Sequence, residues 1–404
     1  MFKIYDLNMK EIPLPKGVMP LEIFVGSVAK DRVTEAVEGR TGVVDYGFNY
    51  TDRPVSLFLR IKAADAADFR LLRNEVFATF DVGSAFYVAE ADVPSRVLKV
   101  VVDESYIPDR LTEEYADFDI NCRTLDSVFW ETIYTTLELH DSGYSATAEK
   151  YGLVDNIDDE KVKYRFTPRE VDINFNSSSF QNGNIHNGRG DDLDTLTDYA
   201  RTVGFLPVIK NSRYRIVLEE TSGNAEYVRL FHYNADGSFI SNDNRMTSVS
   251  GNGKSEYNFT ALGEKLRLVI YPVSGKAISL SDIGSSTKIS MYGPSTTNTL
   301  SVYNAGNVTV EPENMMLNII ANGVQSTNNF TIRNNTTGEE IVLKRASDGS
   351  HYRIQGMVIS LGSTTNVFRD TNRRFISLVP GDNQFEILNG TFEEMRFNFK
   401  YYYK

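Results

Sequence analysis

The chain has 404 residues, 41% of them hydrophobic, and a formal charge of -12. That length exceeds what one core usually holds, so two or three domains are expected. The acidic balance argues against nonspecific nucleic-acid binding, which rests on Lys and Arg neutralising phosphates. A single cysteine, Cys122, excludes an internal disulfide framework and a Cys-rich zinc site.

No apolar run approaches the roughly 20 residues that span a bilayer, and residues 1 to 8 carry no basic and then apolar leader. No membrane partner and a reducing cytoplasm are therefore expected. The 22 Tyr and 24 Phe, with abundant Asn, Ser, Thr and Gly, are residues of strands and tight turns, so the fold class is mainly β.

The first feature is GRTGVVDYGFNYTDR, residues 39–53. Its glycines resemble a phosphate cradle, but such a loop opens a helix, whereas here strand-like runs follow. Turns between extended segments account for them. In PVSLFLRIK, Val55, Leu57, Leu59 and Ile61 share one face, the period of a half-buried strand. Across AADAADFRLLRNEVFATF the period changes: Phe69, Leu72, Val76 and Phe80 recur at three and four, predicting an amphipathic helix packed on a sheet. Strands resume at FYVAE, RVLKVVVDE and YADFDINCRT, where Cys122 alternates with Phe118 and Ile120 as a buried small hydrophobe. RVLKVVVDE suits either an open edge or an internal strand.

Residues 1–135 thus form a β-rich N-terminal domain with one helix. Residues 136–169 read as an extended arm, a short helical turn around 146–150, and a strand. FNSSSFQNGNIHNGRGDDLD is polar and Gly-rich, as a linker is. Within 170–294, RYRIVLEE, YVRLFHYNADGSFIS, YNFTALG and KLRLVIYPV are short strands separated by turns, with a hairpin at residues 234–237; the pattern predicts a jelly-roll β-sandwich. Residues 295–404 repeat it without a helix, predicting a second sandwich.

Candidate chemistry is sparse. The four histidines, at 140, 186, 232 and 351, have no ligand spacing, and His232 shares a strand face with Val228 and Leu230 as a core residue does. Asp191, Asp192 and Asp194 suit a solvated turn or a calcium site without EF-hand spacing. No GxSxG elbow occurs and Cys122 has no evident partner, so no catalytic residue, metal or cofactor is assigned.

One constellation stands out. On YVRLFHY the residues Tyr227, Arg229, Phe231 and Tyr233 oppose an aliphatic face, and on KLRLVIY so do Lys265, Arg267, Val269 and Tyr271; Tyr199 and Arg201 extend the set. Flat aromatic surface and planar donors are what a saccharide requires. Tyr199, Arg201, Arg229, Tyr233, Arg267 and Tyr271 are therefore candidate carbohydrate-binding residues. The alternative is that they merely cover an outer sheet face.

GRTGVVDYG, PVSLFLRIK, FRLLRNEVFATF and the following FW, then KYGL with KVKYRFT, VYNAGNVTVEPENMMLNI, FRDTNRRFISLVPGDNQFEI and the aromatic C-terminus, occur in an order that resembles the distal tail protein family of long-tailed (siphovirus) phages of Gram-positive hosts. The resemblance covers about two-thirds of the chain. It implies that residues 1–135 are a belt domain and 295–404 a galectin-like sandwich, with 170–294 inserted as a carbohydrate-binding-like module. It further implies a homohexameric ring at the virion tail tip, made in the host cytoplasm. Its implied partners are the tail tube protein, tail-associated fibre or hub proteins and a host cell-wall glycopolymer, with DNA only passing through the channel. The expected role is structural; the alternatives are a glycan hydrolase or a decorative insert.

Overall fold

The computed structural model describes residues 1–81, 83–141, 163–243 and 253–404. The turn expected near 146–150 and the start of the strand expected at 161 lie outside the described residues.

The N-terminal domain comprises β1 (Phe2–Tyr5), β2 (Val18–Val25), β3 (Ala29–Ala36), β4 (Val43–Thr51), β5 (Pro54–Lys62), α1 (Ala66–Phe80), β6 (Phe86–Glu90), β7 (Arg96–Val102), β8 (Asp109–Arg110), β9 (Tyr115–Thr124) and β10 (Trp130–Thr132). Its main sheet runs β1-β6-β7-β9-β5-β2. The RVLKVVVDE strand is therefore internal, between β6 and β9, and the edges are β1 and β2. Alternation buries Val55, Leu57, Leu59 and Ile61 of β5 completely or nearly so.

Against that face lies α1, burying Phe69, Leu72, Val76 and Phe80, the four residues that share its apolar stripe. It begins where the Asp65 carboxylate accepts from the backbone N–H groups of Ala67 and Asp68, a cap worth about 1 kcal/mol. The GRTG glycines turn the β3–β4 hairpin, with φ of 82° at Gly39 and 87° at Gly42, a backbone region open to glycine without a Cβ penalty.

Thr136–Asp141 is a helix, α2, and not the extended arm that the sequence suggested. At six residues it is too short for periodicity to reveal. The Glu138 carboxylate accepts from the Thr135 N–H at 2.7 Å, while the Thr136 hydroxyl donates to the Phe397 carbonyl at 3.0 Å and accepts from the Phe399 N–H at 3.1 Å. Leu139 is buried in the core of the last domain. Tertiary contact thus decides a locally undetermined segment.

After β11 (Arg165–Phe166) come β12 (Glu170–Asn174), β13 (Phe180–Asn182), β14 (Asn184–Ile185), β15 (Asp192–Leu193), β16 (Ala200–Thr202), β17 (Leu206–Pro207), β18 (Arg213–Glu220), β19 (Ala225–Tyr233), β20 (Phe239–Asp243), β21 (Gly253–Thr260), β22 (Lys265–Pro272) and β23 (Thr287–Pro294). Two sheets, β12-β23-β18-β21 and β13-β16-β22-β19-β20, enclose a core that includes Ile216, Leu218, Val228, Leu230, Leu268, Ile270, Ile289 and Met291. The stretch expected as a linker, residues 175–194, is part of this sandwich: β13 joins the second sheet, and β14 and β15 form a hairpin, the flap, whose loop reaches across that sheet's outer face.

The last domain contains β24 (Asn298–Asn304), β25 (Leu317–Ser326), β26 (Phe330–Asn334), β27 (Glu339–Leu343), β28 (Ser347–Gln355), β29 (Val358–Leu361), β30 (Thr365–Asn366), β31 (Gly381–Leu388), β32 (Glu394–Phe399) and β33 (Tyr402–Tyr403). Its sheets are β11-β32-β25-β28-β29-β30 and β24-β31-β26-β27. At the junction β33 pairs with β10, which also pairs with β7, so the final strand is continuous with the N-terminal sheet.

Candidate functional site

Antiparallel register builds the site in rows. Ala200 lies opposite Ile270 and Tyr271 opposite Tyr227, which aligns Tyr199, Tyr271 and Tyr227 across three neighbouring strands. The Tyr227 and Tyr271 rings stack at 4.6 Å and Tyr199 meets Tyr271 edge-on at 5.0 Å. One row along, Arg201 and Arg229 flank Val269; the next holds Arg267 opposite Phe231, and the last Tyr233 opposite Lys265. Period-two alternation brings all six candidate residues to one face.

The flap divides that face. Beneath it, Ile185, Phe231, Tyr233, Val269 and Tyr271 form a small core of their own. Arg201 is 3% exposed and donates to the Asn184 carbonyl at 3.0 Å and to Asp194. Arg267 is 6% exposed and binds Asp192 at 2.5 Å and the Thr202 carbonyl at 2.7 Å. The Tyr233 hydroxyl donates to the Gly190 carbonyl at 2.9 Å, and burial pushes its pKa up to about 12. These three residues hold the flap and present no surface to a ligand. Asp192 and Asp194 of GRGDDLD are their anchors, yet the carboxylates of Asp191, Asp192 and Asp194 stay exposed, so the motif is a solvated turn that also ties down the flap.

At the other end the face is open. Tyr199, Tyr227 and Arg229 are half-buried, and Tyr271 is nearly covered between them. The Arg229 guanidinium lies 4.6 Å from the Tyr271 ring centre, donating to its hydroxyl at 3.1 Å and to the side-chain Oδ1 of Asn187 at 2.6 Å. Held by two acceptors and a ring, the guanidinium is fixed as a planar donor. Burial, partly offset by Arg229, raises the Tyr227 and Tyr271 hydroxyls above their ordinary range, so both stay neutral donors at physiological pH.

His232 is 1% exposed on the opposite, core-facing side. Its Nδ1 accepts from the Leu262 N–H at 3.3 Å and burial lowers its pKa, which makes it the neutral core histidine expected. Burial pushes the Cys122 thiol up to about 12, as befits an inert packing residue. His186 accepts from the Gly188 N–H within the flap loop, and the side chain of His140 lies outside the described residues.

Sequence reasoning missed a cleft of about 760 Å³ where the two sheets meet, lined by His232, Asn242 and Asp243 from the sheet beneath the flap and, from the other, by Arg213, Glu170, Asn258 and Arg215, whose guanidinium sits 4.2 Å from the Tyr292 ring centre. The alternation in RYRIVLEE carried the signal for both arginines, but Tyr292 is 77 positions beyond Arg215 and only the β18–β23 register joins them.

Residues 5–122 match the family described as phage tail protein RIFT-related domain. Among solved structures, the chain is similar to the SPP1 Dit (gp 19.1) protein, whose title calls it a paradigm of hub adsorption apparatus in Gram-positive infecting phages, at 6% identity over 99% of both chains and a TM-score of 0.39. It is also similar to a chain of the phage p2 baseplate in its activated conformation with Sr, at 10% identity over 99% of this chain and 97% of the other, TM-score 0.33. Comparison with curated proteins gave no match.

The N-terminal domain is thus a phage tail domain of the RIFT-related family, a structural class. Residues beyond 122 lie outside that match.

Proposed function

We propose that the chain is the hub of the phage baseplate, a homohexameric ring between the tail tube and the tail-associated proteins, with DNA passing through its channel. Residues 170–294 are a module inserted in a surface loop of the last domain, and they grip host cell-wall carbohydrate. Support for the ring comes from the β3–β4 hairpin, which shares no sheet with the rest of the domain and is exposed along nearly its whole length. Backbone edges of that kind are templates for a neighbour.

The sugar reading rests on one observation: the open tyrosine row with its fixed guanidinium. Of the six candidates, Tyr199, Arg229 and Tyr271 then contact the glycan together with Tyr227, whereas Arg201, Tyr233 and Arg267 act by positioning the flap that carries Asn187. Weak single contacts suffice because six modules on one ring bind together.

Incubation of the full chain with purified cell-wall polysaccharide tests this reading. Saturable binding without new reducing ends is expected. Release of reducing ends instead means a hydrolase, and an inert protein means a decorative insert. In a binding-competent sample, Tyr227→Ala with Arg229→Ala is expected to abolish binding while the ring persists.

A further inference from the structure

The β3–β4 arm is anchored at its foot, and beyond it the strands are exposed along nearly their whole length. At its foot Arg53 is 6% exposed and donates to the carbonyls of Gly26 at 2.8 Å and Val128 at 3.1 Å. Tyr50 packs edge-on against Phe129 at 5.0 Å, and Lys30 sits 4.3 Å over the Phe48 ring. Gly26 lies so close to Pro54 that a Cβ there would stand 2.7 Å from the ring. A foot this crowded fixes the arm's direction, and eight or nine residues of strand carry its tip roughly 25–30 Å outward.

The tip is apolar and carries a single cation, Arg40, beside Glu38. Val37 and Val43 are 44% and 62% exposed, and Arg40 between them is exposed with no carboxylate partner among the described residues.

The same domain carries a groove of about 470 Å³ at the C-terminal end of α1. Phe77, Phe80 and Tyr106 line it, Ile107 beside it is 82% exposed, and Asp81 and Glu104 stand on its rim without an ion-pair partner among the described residues. The last turn of α1 has no basic residue, so the negative end of the helix dipole adds to those carboxylates. Asp103, also on the rim, is paired with Arg123 at 3.1 Å.

Groove and tip complement each other: an apolar floor with a negative rim, and an apolar turn with a cation. We infer that the tip of the arm, residues 37–43, docks in the α1 groove of a neighbouring copy of this chain, Val37 and Val43 on the aromatic floor and Arg40 against Asp81 and Glu104. The inference rests on the ring reading. Glu38, on the same turn, opposes the rim, so the pairing depends on Arg40.

The test uses the full chain with cysteines placed as Thr41→Cys and Ser105→Cys, both on exposed positions. Oxidation of assembled protein is expected to give a ladder of covalently linked copies. Rings that assemble but yield no ladder overturn the docking and leave the ring reading intact; a chain that stays monomeric at all concentrations overturns both. Charge reversal gives an independent readout. Arg40→Glu or Glu104→Lys alone is expected to raise the concentration at which copies dissociate roughly tenfold, Arg40→Glu with Glu104→Lys to restore it, and Glu38→Gln to lower it. Additive losses in the double variant, with native circular dichroism, overturn the contact.

Discussion

Two hairpins of this molecule look alike in sequence and behave oppositely. The arm, β3–β4, and the flap, β14–β15, both read as polar, Gly-rich segments. The arm stands clear of its domain, whereas the flap's loop and second strand are pinned to a sheet by Arg201, Arg267 and Tyr233. What separates them is the partner surface. Beneath the flap the sheet supplies buried guanidinium groups that would be costly to leave unpaired, so the segment is required to cover them. Beneath the arm only its foot finds such a group, Arg53.

The largest effects are expected where the flap's anchors are removed. Arg201→Ala combined with Arg267→Ala deletes the hydrogen bonds to Asp192, Asp194 and two carbonyls, which is expected to cost about 3 kcal/mol or more. A fall in the melting transition, with new proteolytic cutting within 186–191, is the check. Deleting residues 37–42 of the arm is expected to leave the same transition unmoved in protein diluted to dissociated copies, since the segment makes no core contact within its own chain; a drop of several degrees there would erase the contrast.

A single substitution made in each hairpin sharpens the comparison. Gly190→Ala meets a φ of 72° and a Cβ only 2.5 Å from the Phe239 ring, while Gly39→Ala meets a φ of 82° but open space. The first is expected to cost more than 2 kcal/mol and the second about 1 kcal/mol, the backbone penalty alone. Equal losses in urea unfolding would mean that the flap yields as freely as the arm.

The smallest effect concerns the sandwich on which the flap lies. His232 is buried with a pKa below the ordinary value of 6.5. The unfolded state therefore binds more protons than the folded state as pH falls through 6.5, and stability is lost from there down to the folded pKa. His232→Gln is expected to flatten that part of a stability-against-pH curve. A curve unchanged by the substitution would assign the slope to other groups.

The tail-domain elements were legible because each carries its own period: β5 alternates, α1 repeats at three and four, and the GRTG glycines mark a turn. The two faces of β19 and β22 were legible for the same reason. What covers them was not. A strand pattern reports which residues share a face but not whether water or another segment lies against it, and the segment responsible has only two-residue strands, Asn184–Ile185 and Asp192–Leu193. Its composition pointed to a linker, while its anchoring depends on arginines 7 and 75 positions away from their carboxylates. α2 escaped for a related cause, since Thr136 is held by carbonyl and N–H groups from residues 397 and 399.

The pairing of Tyr402–Tyr403 with Trp130–Thr132 sets an order on biosynthesis. A ribosome delivers the N-terminal sheet first, yet β10 keeps one flank bare until about 270 further residues have emerged. The first domain is thus finished last, and until that moment its unsealed border is the place where premature association between nascent chains would begin.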